Sequence, residues 1–160
     1  MKKAILPAIF VAVGFSAMFV NAAETDFSGE WILSERIPSF GTKTPDVLLI
    51  INQTRDHFDV TRNMMDEEEI IESHYTLDGM ENVNTEPDEA GPVTIRSTSK
   101  WSSGVLVLEG LSIFASSDKD VTTKWKTEYL LSDDGEVLTV IETHPTPFGE
   151  TAISQIFKRK

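Results

Sequence analysis

The chain has no cysteine, only three histidines and only two tyrosines among its 160 residues. Without thiols there is no disulfide framework, no cysteine nucleophile and no Cys-based zinc site. A bacterial lipoprotein anchor is excluded too, because lipidation needs a cysteine at the cleavage point. His57, His74 and His144 are too dispersed for metal-ligand spacing and read as strand-face or turn residues, so no metal is expected. There is no Gly-x-Ser-x-Gly elbow, glycine-rich phosphate loop or dinucleotide fingerprint, which leaves no catalytic residue and no cofactor to name. Positive charge is also scarce. Fourteen Lys and Arg stand against 26 Asp and Glu, for a net charge of −12, which opposes nucleic acid and anionic lipid headgroups. The acidic clusters at Asp66 to Glu69, Asp118 to Asp120 and Asp133 to Glu136 lack the EF-hand loop pattern and fall where hairpin tips are expected.

What is present begins with an export signal. Lys2 and Lys3 precede an uncharged apolar stretch from Ala4 to Val20, followed by small residues suited to cleavage after Ala22 or Ala23. The stretch is short for a membrane span and is interrupted by Pro7 and Gly14. The expectation is a signal peptide at 1–22 and one domain at 23–160, exported to the periplasm or secreted, with no stable membrane insertion after cleavage.

The rest of the chain alternates between strands and turns. Trp31 and Leu33 alternate with Glu30 and Ser34, and Phe58, Val60 and Arg62 with Asp59 and Thr61. Val47 to Ile51 is a β-branched apolar run, and a further strand is expected from Glu69 to Leu77. Asp78-Gly79 signals a tight turn into a short return strand over Met80 to Asn84. Strands follow at Val93 to Lys100, Val105 to Ala115, Val121 to Leu131, Glu136 to Thr143 and Thr151 to Arg159, separated by Ser102-Ser103-Gly104, Asp118-Lys119-Asp120, Asp133-Asp134-Gly135 and a Pro/Gly turn. A meander of this kind removes its edges by closing, so an all-β antiparallel up-and-down barrel of eight to ten strands is expected over the competing β-sandwich.

Three places carry a family resemblance. Phe27-Ser28-Gly29-Glu30-Trp31 is similar to the Gly-x-Trp opening of the calycin group, meaning lipocalins and fatty-acid-binding proteins. Lys100-Trp101-Ser102-Ser103-Gly104 resembles a Trp-turn-Gly hairpin of the fatty-acid-binding branch. The ending Ile156-Phe157-Lys158-Arg159 resembles the last lipocalin strand, where a basic residue packs over the Gly-x-Trp ring. The resemblance implies a lipocalin-like barrel closed structurally by Gly29, Trp31 and Arg159. It also shows a departure: the carboxylate-holding Arg-x-Tyr of fatty-acid-binding proteins falls here on Gln155 and Phe157.

Candidate pocket residues are Leu49, Phe58, Tyr75, Ile95, Arg96, Phe114, Trp125, Tyr129 and Gln155, with Thr123, Thr127, Ser97 and Ser99 as inward hydroxyls. Arg62 and Arg96 are the mid-strand arginines able to replace the missing carboxylate ligand, although burial preference places both on the surface. The functional expectation is a non-enzymatic binding protein for a small, mostly apolar molecule, with its protein partner unknown. The alternatives are an envelope interaction or scaffold module with a filled barrel, using Asp66 to Glu69 and Thr85 to Glu89 as contact surfaces, and a lipocalin-fold enzyme.

Overall fold

A computed structural model of the protein describes residues 25–38, 46–66, 69–88, 91–115 and 119–160. The expected signal at 1–22, Glu67, Glu68, Glu89 and Asp118 lie outside the described residues. Ten antiparallel strands form one sheet: β1 (Gly29–Ile37), β2 (Val47–Gln53), β3 (His57–Met64), β4 (Glu69–Thr76), β5 (Asn82–Glu86), β6 (Val93–Ser102), β7 (Val105–Phe114), β8 (Val121–Leu131), β9 (Val137–Thr146) and β10 (Gly149–Arg159). No helix occurs among the described residues.

The spatial order is β4-β3-β2-β1-β10-β9-β8-β7-β6-β5. Every neighbour is a sequence neighbour except at the middle, where β1 pairs with β10. The all-β, up-and-down reading therefore holds, with ten strands. The period-2 pattern explains it: in β6, buried Val93, Ile95, Ser97 and Ser99 alternate with outward Arg96, Thr98 and Lys100. One bulge breaks the alternation, between Leu33 and Glu35 in β1, and turns Arg36 to the inner register opposite Gln155.

Two expectations change. The return strand after Asp78-Gly79 is Asn82–Glu86 rather than Met80 to Asn84. Asp78 Oδ1 accepts from the Met80 N–H (2.9 Å) and the Thr76 hydroxyl (2.8 Å), holding a turn wider than a two-residue hairpin. The loop expected at Thr85 to Glu89 begins later, because Thr85 and Glu86 are strand residues and Glu86 faces inward.

The sheet closes without backbone pairing at β4 and β5. Side chains bridge that seam instead. Asn84 Oδ1 accepts the His74 N–H at 2.8 Å while its Nδ2 donates to the His74 carbonyl at 3.1 Å. Asn82 Oδ1 accepts the Thr76 N–H, and the Ser99 hydroxyl donates to the Thr76 carbonyl, each at 2.6 Å. Backbone groups that a ladder would satisfy thus find amide and hydroxyl partners.

The base of the barrel is filled. Residues 25–28 cross beneath it, tied down by Gln53, whose Oε1 accepts from the Phe27 N–H (3.0 Å) and whose Nε2 donates to the Thr25 carbonyl (2.9 Å). The fully buried Phe27 ring stacks on Trp101 at 5.9 Å and meets Phe58 and Tyr129 at 6.1 and 6.2 Å. Trp31, Leu106, Leu138, Val140 and Phe157 complete this floor.

Candidate functional site

Gly29, Trp31 and Arg159 meet at the base. The Trp31 indole N–H donates to the Phe27 carbonyl at 2.9 Å, and the Arg159 guanidinium carbon lies 4.3 Å above the ring. Arg159 also donates to the Ser28 and Gly135 carbonyls. Gly29 has φ +144°, and a Cβ there would stand 2.6 Å from Arg159 Nη1. Its glycine therefore serves the backbone turn and also admits the guanidinium.

Above the floor the inner faces diverge around a cavity of about 180 Å³. Its apolar lining includes Val60, Ile71, Ile95, Leu108 and Trp125. Its polar lining comprises Arg62, Glu86 and Glu142 together with Ser73, Tyr75, Ser112, Thr127, Tyr129 and His144. Arg62 Nη2 bonds Glu142 Oε1 at 3.0 Å across the barrel from β3 to β9, and Ser73 Oγ donates to Glu86 Oε1 at 3.1 Å.

Of the candidate residues, Tyr75, Ile95, Trp125 and Tyr129 come together in the cavity wall. Leu49 and Phe58 are core instead, and Phe114 packs half-buried against that core. Gln155 is buried on the inner face opposite Val140 but is not part of the wall. Arg96 is a correction: it lies outside the barrel, half exposed, 3.7 Å from Glu81, because it alternates with inward Ile95 and Ser97. Arg62 corrects the opposite way, since its surface exposure opens on the cavity. Glu86, Glu142 and His144 were not anticipated as lining residues.

Burial alone would lower the pKa of Arg62. Glu142 beside it, with Tyr129 and Glu86, more than offsets this and holds the guanidinium above its ordinary value. Burial pushes Tyr75 up to about 12, with the Ser73 hydrogen bond opposing and Glu86 adding. Burial also pushes Tyr129 upward, reinforced by Tyr75. An unfolded tyrosine ionises near pH ~10. Above that the fold retains protons the unfolded chain has lost, so stability falls as pH rises from about 10 through the folded values. Because these are the only two tyrosines, tyrosinate absorbance is expected to appear together with loss of the near-UV circular dichroism. Ionisation near pH ~10 in an intact fold would contradict their burial.

Trp125 also separates the cavity from an outer groove of about 400 Å³ lined by Glu109, Lys124, Lys126 and Glu150. The groove exists because β8 and β9 pair only from Lys126 and Thr143 toward the base. The Trp125 ring leans on Gly110, where a Cβ would stand 2.9 Å from Trp125 Cζ2 and collide with the Arg96 carbonyl.

No protein-family model matches the chain, and no curated protein matches its sequence. Solved structures do match. Zebrafish ileal bile acid-binding protein complexed with cholic acid aligns at 14% identity and TM-score 0.58, covering 84% of this chain and 98% of that one. A secretory abundant heat soluble protein from Ramazzottius varieornatus aligns at 14% identity and TM-score 0.61, covering 86% and 98%. A fatty acid transporter, REP1-NXSQ, aligns at 15% identity and TM-score 0.57, covering 84% and 98%. The likeness shows the fold: an antiparallel up-and-down β-barrel of the kind these proteins share. Within this barrel the charges lining the cavity sit on β3, β5 and β9, while the last strand offers Gln155 and Phe157 to the interior.

Proposed function

We propose that the protein is an exported, non-enzymatic carrier holding one small amphipathic molecule in the cavity above the aromatic floor. The observation that carries this reading is the cavity itself, whose lining interleaves apolar residues with hydrogen-bonding ones. Its volume of about 180 Å³ lies below the roughly 300–1,000 Å³ of drug-sized sites, which favours a compact ligand or the buried end of a longer one. The filled-barrel scaffold reading accounts for the base but not for the unfilled space above it. The bile acid-binding and fatty acid-transporting neighbours lend support through shared architecture. The exported location rests on the charged and apolar pattern of residues 1–22.

Nile red, an uncharged probe, is expected to bind saturably at one site with a gain in fluorescence. Ser112→Trp, placed in the cavity wall, is expected to abolish that gain while leaving the β-sheet circular dichroism unchanged. A probe signal unaffected by Ser112→Trp in a folded variant would reject the cavity as the binding site.

A further inference from the structure

We propose that the cavity selects a cationic amphiphile, an ammonium group on a short apolar tail, over the corresponding carboxylate. This rests on the carrier reading above and adds the charge of the ligand. The charged groups of the wall are one guanidinium, Arg62, and two carboxylates, Glu86 and Glu142. Arg62 is already engaged with Glu142 at 3.0 Å. Arg36, the other inward-register arginine, lies opposite Gln155 on β1 and is not part of the wall.

An entering carboxylate would have to draw Arg62 from Glu142. Two acids would then compete for one guanidinium, with Glu86 close by, and a half-buried charge would be left unmatched. An entering ammonium leaves the Arg62–Glu142 pair intact. It finds Glu86, whose one hydrogen-bond partner among the described residues is Ser73, so the carboxylate retains acceptor capacity. Tyr129 and Trp125 add ring faces able to attract a cation. The tail is accommodated by Val60, Ile71, Ile95 and Leu108. The absence of charge at Gln155 and Phe157 fits the same polarity.

Titration calorimetry of the protein at neutral pH with octylammonium, octanol and octanoate tests this at constant tail length. Octylammonium is expected to bind at least about tenfold more tightly than octanoate, with octanol between them. Glu86→Gln is expected to reduce that preference by about tenfold. Glu72→Gln, an outward and exposed position on β4 that changes the net charge equally, is expected to leave it within about twofold, since exposed charges are screened by salt. Octanoate binding as tightly as octylammonium would overturn the charge selectivity while leaving the carrier reading intact. So would an equal loss in Glu72→Gln and Glu86→Gln, which would indicate general attraction to an acidic surface. Failure of all three to bind would overturn both readings.

Discussion

Replacing Trp31 by alanine is expected to destabilise the barrel by about 3–5 kcal/mol, the range for emptying a large aromatic side chain from a packed core. Trp31 is fully buried and holds three parts of the base together. Its N–H satisfies the Phe27 carbonyl, its backbone pairs opposite Leu49 of β2 in the same core cluster, and its face supports Arg159. Alanine would leave a cavity and orphan the carbonyl at the point where the N-terminal segment crosses the barrel. Trp31→Phe keeps most of the apolar area but not the N–H, and is expected to cost about 1–2 kcal/mol. Urea denaturation followed by circular dichroism measures both. A cost below about 1 kcal/mol for the alanine variant would show that the base is held elsewhere, since that is less than one buried methylene-scale loss plus a lost hydrogen bond.

The second large effect is expected at the seam. Asn82→Ala combined with Asn84→Ala removes the side-chain partners of the His74 N–H and carbonyl and of the Thr76 N–H. Each buried group left unpaired costs about 1–3 kcal/mol. Part of that is recovered where water reaches the opened seam, so the double variant is expected to lose on the order of 2–5 kcal/mol. Hydrogen exchange localises the effect: the His74 and Thr76 amides are expected to lose protection, while amides in the β9–β10 ladder keep theirs. Unchanged protection at those two amides would mean that side chains of β5 do not close the barrel. Asn82 and Asn84 are buried at 7% exposure each, an unusual placement for asparagine that this bridging role explains.

Most of the barrel was legible because period-2 alternation and turn residues speak locally. The Val121 to Leu131 run places Trp125, Thr127 and Tyr129 on the inner face, as its alternation implies, and the Asp-Gly signals at Asp134-Gly135 and Asp78-Gly79 coincide with turns. The failure at β5 has a physical cause. Its inward residues are Asn82, Asn84 and Glu86, so the strand carries no apolar face for a pattern to find. The site was half legible for a related reason. Tyr75, Ile95, Trp125 and Tyr129 follow from hydrophobic alternation, and Arg62 shares the parity of Phe58 and Val60. The general reluctance of arginine to be buried argued against that parity, yet a cross-barrel carboxylate compensates for it. Glu142 shares the parity of Leu138 and Val140 in the same way. Neither charge could be assigned alone, because each makes the other's position acceptable and they stand 80 residues apart.

The pairing of β1 with β10 at the middle of the sheet also bears on how the chain reaches its native state. During synthesis β1 can dock on β2 at once, but its other edge has no partner until β10 has been made. The two arms, β1 to β4 and β5 to β10, each consist of local hairpins, whereas the contact that joins them spans nearly the whole domain. Such a contact carries a large loop-closure entropy and comes late. The aromatic floor depends on it too, because Arg159 and Phe157 arrive with the last strand. A partly made chain therefore cannot finish its base or seal its interior. It remains a set of hairpins that can still be drawn out straight, a property compatible with crossing a membrane before folding.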